Sequence, residues 1–363
     1  MPPFSADKRD GGVRRTWVQP VGICPQYAGG AGIASLAGGL RGFSHLDVIN
    51  DIDGKLSITR IPVVALIEEA AKGGADAEAR ATQTLARITG QRADFAGLDM
   101  ASPQIMGILN ATPDSFSDGG DHSAAEHALA SAEQMIQDGA AILDVGGEST
   151  RPGADPVGFD EECARILPII TPLSAAGHVV SADTRHTNVM AAALDAGAGI
   201  INDVGGLRDE GAMDLVAKQK APSIIMHMQG EPGTMQENPT YHYAPTDIYD
   251  WLEDRILLAQ SAGMALSDLA IDPGFGFGKT PQHNMMIMAN ISLFHGLGVP
   301  IVLGVSRKST IAHYSRGEAA KDRLAGSVAL AALGLQQGVQ VFRVHDVAAT
   351  AQAVSNAAAF ASF

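Results

Sequence analysis

From about residue 100 onward, short apolar runs alternate with longer stretches that are rich in Ala and Leu. Each short run ends in polar residues and is otherwise apolar throughout, as in strands of a parallel sheet that are buried on both faces. The longer stretches have the composition of helices. The strands are predicted at 104–110, 140–146, 178–183, 199–203, 223–227, 269–273, 300–305 and 340–345. The helices are predicted at about 124–138, 160–176, 187–196, 209–220, 246–262, 282–297, 321–336 and 347–360.

The alternation of strand and helix predicts parallel βαβ units and an α/β protein. Eight such units in about 260 residues match the size of a (β/α)8 TIM barrel. An open, doubly wound sheet would show the same repeat, and it differs by a reversal in strand order that a sequence does not display. We predict the barrel over residues 101–363 and keep the open sheet as the structural alternative.

The first 100 residues lie outside this repeat. Their pattern predicts short strands near 16–23 and 54–60 and helices at about 62–72 and 76–89, so we expect a small α/β extension over residues 1–100. Residues 28–42 are rich in Gly and Ala, but they lack the strand–glycine–helix context and the spacing of a dinucleotide-binding loop. The sequence assigns no role to this extension.

Charge and cysteine content narrow the class of protein. A formal net charge of −15 argues against non-specific binding to nucleic acid or to anionic membranes. Cys24 and Cys163 are far apart and form neither a disulfide framework nor a zinc motif. No run approaches the roughly 20 apolar residues of a spanning helix, and residues 1–15 have no apolar stretch typical of a secretory signal. We therefore expect a cytoplasmic protein.

Nearly every predicted strand ends in polar residues, and in a barrel the carboxyl ends of the strands meet at one mouth. Such a residue is usually a helix cap or turn former when it occurs alone, as Asp346 could be before the last helix. The same position in all eight strands favours an active site. The polar residues at the strand ends are Asn110, Asp144, Glu148, Asp183, Asn202, Asp203, His227, Asp272, Ser306, Arg307, Lys308, Arg343, His345 and Asp346.

The cations Lys308, Arg343 and His345 follow or end strands seven and eight, where barrels of this kind often bind phosphate. This favours a phosphorylated substrate, although Arg307 and Lys308 could also form a solvated surface pair. Asp183, Asn202, Asp272 and Lys308 would converge on a ligand that is polar on several edges, such as a pterin. The alternative is an Asp–Lys ion pair that fills the mouth.

Two long segments, 111–120 and 146–153, follow the first two strands and are rich in turn formers and charged residues. Such loops can close over a substrate and exclude water, or they can be ordinary exposed connections. Composition leaves both possibilities open.

From about residue 104 to its end, the chain resembles the dihydropteroate synthase family. The matching segments lie in all eight units, in the order of the family. They are MGILNATPDSFSDGG (106–120), LDVGGESTRPGA (143–154), SADTRHTNV (181–189), INDVGG (201–206), MHMQGEPGTMQENP (226–239), DPGFGFGKT (272–280), GVSRKS (304–309) and RVHDV (343–347). Ala111 and Ala182 depart from the family pattern without removing a chemical group.

The resemblance implies an enzyme that joins 6-hydroxymethyl-7,8-dihydropterin pyrophosphate to para-aminobenzoate, with Mg²⁺ assisting and sulfonamides competing with para-aminobenzoate. It also implies a homodimer through helices of the later half of the barrel. The implied pterin-binding residues are Asp183, Asn202, Met226, Asp272 and Lys308. The implied pyrophosphate-binding residues are Asn110, Arg343 and His345, with Asn110 also at the metal. The implied para-aminobenzoate pocket contains Phe116, Thr150, Arg151, Pro152, Phe277 and Ser309.

The implied catalytic residues are Asp118, Arg151 and Lys308. Asp118 would face the methylene cation that forms when pyrophosphate leaves. An aryl amine is a neutral nucleophile near neutral pH, so the reaction needs no strong base, and we assign none to His227 or His345. Two rivals remain: a methyltransferase that uses a methylated pterin, and a pterin-binding protein without activity. The first does not need the two loops or the SRKS segment, and the second should have lost residues that are all present.

Overall fold

A computed structural model describes residues 14–26, 32–111, 121–149 and 157–360. The N-terminal part of the described chain forms a four-stranded antiparallel sheet with two helices. Its elements are β1 (Arg14–Pro25), β2 (Ala34–Leu36), β3 (Arg41–Ile52), β4 (Lys55–Pro62), α1 (Leu66–Ala71) and α2 (Ala75–Thr89). The long strand β3 is central, with β1 along one edge and β2 and β4 along the other.

The predicted strands near 16–23 and 54–60 and both predicted helices are present, but β3 was not predicted. Its sequence RGFSHLDVINDI mixes polar and apolar residues without strict alternation. A tight turn at Asp53 and Gly54 joins β3 to β4, and both residues have a left-handed backbone, with φ of 51° and 77°. Asp-Gly is a preferred pair for such a hairpin, and the Asp51 side chain accepts a hydrogen bond from Gly54 N at 2.8 Å.

The second part is a parallel eight-stranded barrel, as predicted. Its strands are β5 (Gln104–Asn110), β6 (Ile142–Gly146), β7 (Val179–Asp183), β8 (Ile200–Asp203), β9 (Ser223–Met226), β10 (Leu269–Asp272), β11 (Val302–Leu303) and β12 (Val341–Val344). Strands β5 to β10 pair in sequence order, and β12 joins β5 to β11. A bridge between Ile271 and Ile301 then links β10 to the start of β11. This order has no reversal, so the open-sheet alternative is wrong.

Helices follow the strands around the outside of the barrel. They are α3 (Asp121–Gln137), α4 (Phe159–Ala175), α5 (Thr187–Asp195), α6 (Ala212–Gln219), α7 (Ala244–Ser261), α8 (Pro281–Ala289), α9 (Ser309–His313), α10 (Leu324–Gln336) and α11 (Val347–Phe360). The predicted helix at 282–297 is instead α8 followed by a 3₁₀ helix, Ile291–Leu297, and α9 was not predicted. No helix within the described ranges is long and apolar enough to cross a membrane.

The N-terminal sheet packs against one side of the barrel, at α7 and the 3₁₀ helix that follows α8. Trp17 Nε1 donates to Asp250 Oδ1 at 2.7 Å, and Ser292 Oγ donates to the Pro20 carbonyl at 2.8 Å. The Trp17 ring and Ile49 are buried in the same apolar cluster as the barrel helices. The extension is therefore joined to the barrel by both apolar packing and buried hydrogen bonds.

Candidate active site

The barrel interior has an apolar layer at its base and a polar layer above it, and the two-residue period of the strands explains both. The base is filled by Met106, Ile142, Ile200, Ile224, Ala270, Val302 and Val341, together with Phe95 and Met100. Side chains two positions further along a strand face the same side. On β6, β8, β10 and β12 those positions hold Asp144, Asn202, Asp272 and Arg343. The pattern of each strand thus places a polar group at the mouth.

Arg343 is the centre of this polar layer. Its Nε donates to Asp144 Oδ2 and its Nη2 donates to Asp183 Oδ2, both at 2.6 Å. Asn202 Nδ2 donates to both oxygens of Asp144, at 3.2 and 3.3 Å. Four strands are therefore joined across the mouth by one hydrogen-bonded network. The sequence had placed Arg343 with the pyrophosphate; its partners here are Asp183, which was predicted to bind the pterin, and Asp144, which was given no role.

Burial strongly perturbs the charges of this network. Burial raises the pKa of Asp183 to about 7, even though Arg343 acts to lower it. Burial would lower the pKa of Arg343, but Asp144 and Asp183 more than offset this and hold it above its ordinary value. The guanidinium is therefore permanently charged, while Asp183 changes its protonation state near neutral pH.

Lys308 lies at the mouth, between β11 and α9. Its Nζ stands 3.9 Å from the centre of the Phe277 ring, in a cation–π contact. The structure describes both Lys308 and Asp272 and shows no salt bridge between them, so an Asp–Lys pair does not fill the mouth. Burial, together with the charge of Arg343 and against the opposing effect of Asp272, lowers the pKa of Lys308 to about 8.

Asp272 is held by a glycine-rich turn that follows β10. Its Oδ1 accepts a hydrogen bond from Gly274 N at 2.7 Å, and burial raises the pKa of its carboxyl group. Gly274 has φ of +71°, and a Cβ there would lie 1.9 Å from the His227 carbonyl oxygen. The turn can therefore approach β9 this closely only with glycine at that position.

Next to this turn lies Lys279, a buried lysine that was not predicted to belong to the site. Its Nζ donates to the carbonyl oxygens of Phe277 at 2.9 Å and His227 at 3.2 Å, and it lies 2.9 Å from His227 Nδ1. Burial holds the pKa values of both Lys279 and His227 well below their ordinary ranges. Lys279 thus fixes the turn that carries Phe277. Lys279 lies in the DPGFGFGKT segment, seven residues after the end of β10, and nothing in the sequence indicates this contact.

The end of β12 and the residues after β11 form a second group. His345 Nδ1 lies 3.0 Å from Ser306 Oγ, and burial with the charge of Arg343 lowers the pKa of His345 to about 3. His345 is therefore a neutral hydrogen-bonding group. Arg307 donates to both oxygens of Asp346, at 2.9 and 2.5 Å. Arg307 and Lys308 consequently point to different partners and do not form a solvated surface pair.

An apolar patch lies beside the polar layer. It is formed by Val204, Met226, Met228, Met235 and Phe277. Met226 ends β9 on the same side of the strand as Ile224, so it faces the mouth beside Asn202 and Asp272. Such a patch suits one face of a flat aromatic ligand whose edges meet the polar groups.

The remaining predicted residues are placed less centrally or not described. Asn110 ends β5 opposite Gly146, and Ser309 is exposed at the first turn of α9. Phe116, Asp118, Thr150, Arg151 and Pro152 lie outside the described residues. At the base of the second loop, Glu148 accepts hydrogen bonds from Arg185 Nε at 2.9 Å and Nη2 at 3.3 Å. This ion pair anchors the described end of the loop to the segment after β7.

Asp144 was noted as a strand end but was given no role, and it proves to be the most buried acid of the network. The sequence did contain an indication of this position. Asp144 lies two residues after an apolar residue of the base, and polar residues occupy the same position in neighbouring strands. Lys279 and Arg185 have no comparable signal, because their partners come from other segments of the chain.

Comparison with known proteins agrees with this geometry. Residues 106–345 match the family model described as pterin binding enzyme. A dihydropteroate synthase of Neisseria meningitidis is 48% identical over 264 residues, which cover 71% of this chain and 92% of that protein. A Yersinia pestis dihydropteroate synthase in a sulfonamide drug complex is 42% identical, with a TM-score of 0.70, over 73% of this chain and 97% of that one. A Xanthomonas albilineans dihydropteroate synthase with 4-aminobenzoic acid is 44% identical, with a TM-score of 0.70, over 74% and 97%.

Proposed function

The chain belongs to the pterin-binding enzymes, among the dihydropteroate synthases, and we propose that the mouth described above is where it holds both of its substrates. It condenses 6-hydroxymethyl-7,8-dihydropterin pyrophosphate with para-aminobenzoate and releases 7,8-dihydropteroate and pyrophosphate. The assignment of the site rests on one observation, the polar layer at the mouth. Its residues are Asp144, Asp183, Asn202, Asp272 and Arg343.

In this proposal the pterin lies with its polar edges on Asp183, Asn202, Asp272 and Lys308 and one face against Met226. Carboxylate and amide groups from neighbouring strands offer acceptors for the ring N–H and amino groups, and Lys308 offers a donor for the ring carbonyl. The buried carboxylates need such donors, because an unpaired buried acceptor is costly. The apolar patch then covers the ring face and excludes water.

We place the pyrophosphate near Asn110, Arg343 and His345. Arg343 uses Nε and Nη2 on the carboxylates, so its contact with the leaving group would come through Nη1. His345 is neutral and would contribute a hydrogen bond, not a charge. The permanent positive charge of Arg343 would stabilise the negative charge that develops on pyrophosphate as the C–O bond breaks.

The para-aminobenzoate pocket is proposed between Phe277, Ser309 and the two loops that carry Phe116, Thr150, Arg151 and Pro152. Phe277 stands against Lys308, so the acceptor would approach the pterin methylene from the side of the Lys308 ammonium. Asp118 is proposed to face the methylene cation. The neutral amine of the acceptor attacks the methylene carbon, and the protonated secondary amine that results gives its proton to water after the C–N bond has formed.

The activity is tested by pyrophosphate release from the dihydropterin pyrophosphate with Mg²⁺, with and without para-aminobenzoate. We expect release to depend on the acceptor and dihydropteroate to accumulate in equal amount. Sulfamethoxazole should raise the apparent KM for para-aminobenzoate without changing the limiting rate. A folded protein that binds the pterin but releases no pyrophosphate would instead be a binding protein.

Magnesium is proposed to bind at Asn110. Among the described residues there is no cluster of three or more His, Cys, Asp or Glu side chains that could hold a metal by itself. One amide oxygen suits a magnesium ion that takes its other ligands from pyrophosphate oxygens and water. Bound magnesium would supply positive charge to the leaving group.

We expect chelation with EDTA to slow turnover, and we expect added Mg²⁺ to restore it. Asn110→Ala should raise the Mg²⁺ concentration needed for half-maximal rate. The metal dependence is measured by pyrophosphate release at fixed substrate concentrations. An unchanged Mg²⁺ dependence in Asn110→Ala would remove this residue from the metal site.

The rate should depend on pH in a bell-shaped way. Asp183 becomes the charged acceptor as the pH rises through about 7, and Lys308 loses its charge as the pH passes about 8. We therefore expect kcat/KM for the pterin to rise toward neutral pH and to fall above the Lys308 pKa. In Lys308→Arg, pterin binding should persist to a higher pH, because a guanidinium stays protonated. A profile that is flat across this range would contradict both assignments.

We propose a homodimer formed through α10. This helix, LAGSVALAALGLQ, has no charged residue, yet Ala325, Ala329 and Leu333 are exposed and share one face. Leu333 is 55% exposed. We expect Leu333→Asp to reduce the mass measured by light scattering from two chains to one, whereas Leu258→Asp, on the exposed face of α7, should leave the mass unchanged.

We also place the enzyme in the cytoplasm. Cys24 and Cys163 are both free thiols, which fits a reducing compartment.

A further inference from the structure

A small cavity lies between the N-terminal sheet and the base of the barrel, at the end opposite the mouth. Leu36, Arg41 and neighbouring residues line it from the extension, and Met100, Pro103, Val339 and Gln340 line it from the barrel. Its volume is 30 Å³. A space of this size has room for about two water molecules or one small polyatomic ion.

Arg41, the first residue of β3, is the charged side chain of this cavity. The residue is 4% exposed, and its Nε and Nη2 atoms are buried without a hydrogen-bond partner. No carboxylate in the described part of the chain pairs with it, and Cys24 is the acidic group that acts on its pKa. Burial lowers the pKa of the guanidinium, as expected for a cation without compensation.

Arg92, at the same junction, is a buried arginine whose two terminal nitrogens are paired within the protein, although its Nε has no partner. Its Nη1 donates to the Arg87 and Gly90 carbonyls at 2.7 and 3.0 Å, and its Nη2 donates to the His295 carbonyl at 3.1 Å. Arg92 thus ties α2 to the barrel through backbone oxygens. Arg41 has an equally buried position but none of these acceptors.

We propose that this cavity is a binding site for a small oxyanion, a phosphate or carboxylate group, whose oxygens accept hydrogen bonds from Arg41. A guanidinium presents two parallel N–H groups that match two oxygens of such an anion. A buried charge requires a compensating charge, and an anion in the cavity supplies it. The apolar side chains of Leu36, Met100 and Val339 lower the polarity around the anion, which strengthens its interaction with the guanidinium.

Binding of an anion at this site would strengthen the packing of the N-terminal extension against the barrel and would not take part in the reaction. Arg41 pairs with Leu36 of β2 and Pro25 of β1, while the opposite wall of the cavity leads into β5 and β12. A bound anion therefore joins the sheet to the base of the barrel. Because the mouth is at the other end of the strands, this inference does not depend on the proposed roles of the mouth residues.

The test compares wild type with Arg41→Met by thermal unfolding, first without phosphate and then with rising inorganic phosphate at constant ionic strength. Without phosphate, Arg41→Met should unfold at the same temperature as wild type or higher, because it removes an uncompensated buried charge. Wild type should then gain stability with the logarithm of phosphate concentration and overtake the variant. Phosphate bound at the mouth affects both proteins equally, and Arg80→Met, an exposed site on α2, should behave as wild type.

A variant that is less stable than wild type by the same amount at every phosphate concentration would show a purely structural role for Arg41 and overturn the proposal. Equal responses of the two proteins to both phosphate and acetate would also overturn it. Arg41→Lys, which keeps the charge without the fork, should show a weakened response. A parallel titration with acetate distinguishes the sources, since a carboxylate site responds to acetate and a phosphate site does not.

Crystals soaked in selenate give a direct measurement. The proposal requires an anomalous peak with oxygens about 3 Å from Arg41 Nε and Nη2, and no such peak in Arg41→Met. Absence of the peak in wild type would overturn the site. A peak without any phosphate or acetate effect in solution would mean an adventitious ion only, which would also overturn it.

Discussion

Lys308→Ala is expected to lower kcat/KM for the pterin substrate by about two to three orders of magnitude and to leave the melting temperature close to that of wild type. The Nζ of Lys308 lies 3.9 Å from the centre of the Phe277 ring, which belongs to the apolar patch. A donor fixed in a site that excludes water stabilises developing charge far more than one in solvent. The substitution removes a side chain at the mouth and not one in the apolar core, so the free energy of unfolding should change little.

Lys321→Ala removes the same charge from an exposed site and should change neither activity nor stability. Pyrophosphate release measures turnover, and fluorescence titration with the pterin separates binding from the chemical step. Activity in Lys308→Ala that matches wild type would exclude Lys308 from the site. A large fall in melting temperature would show that the lysine acts through packing.

Arg343→Met should destabilise the protein by about 3 kcal/mol at neutral pH and abolish measurable turnover. The guanidinium is held between Asp144 and Asp183, and removing it leaves two buried carboxylates without their cation. The loss should be smaller at low pH. Below its pKa of about 7 the folded-state carboxyl of Asp183 is protonated and needs no cation, so the cost grows as the pH rises through that value.

Urea unfolding of wild type and Arg343→Met at acidic and neutral pH measures both the loss of stability and its dependence on pH. Arg316→Met, an exposed residue that pairs with Glu318, is the matched control and should unfold like wild type. A destabilisation that does not change with pH would mean that Asp183 is charged throughout, and it would contradict the raised pKa. Activity in Arg343→Met would contradict its place at the leaving group.

Much of the barrel could be predicted from the sequence because each strand is short, apolar and followed by a helix. The predicted strands differ from the observed ones by at most two residues at either end. The larger errors occur where local signals conflict with packing. The helix predicted at 282–297 ends at Ala289, since Asn290 leaves the helical conformation and the chain continues as a 3₁₀ helix against the N-terminal sheet.

The strand β3 shows a different limit. Its residues face the two helices of the extension on one side and the barrel on the other, so its polar and apolar residues do not alternate simply. The extension was therefore predicted with two strands where four are present. The central strand β3 can be identified only together with its neighbours, because β-structure is stabilised by partners distant in sequence.

The sequence by itself determined the barrel, the family and the set of polar residues at the mouth. These follow from local periodicity and from the rule that the ends of parallel strands share one edge. The tertiary structure alone decided which groups pair. It placed Arg343 between Asp144 and Asp183, turned Arg307 to Asp346, and left Arg41 buried without a partner. Charge pairing, burial and pKa depend on distances of a few ångströms between segments far apart in the chain, and spacing along the sequence does not fix those distances.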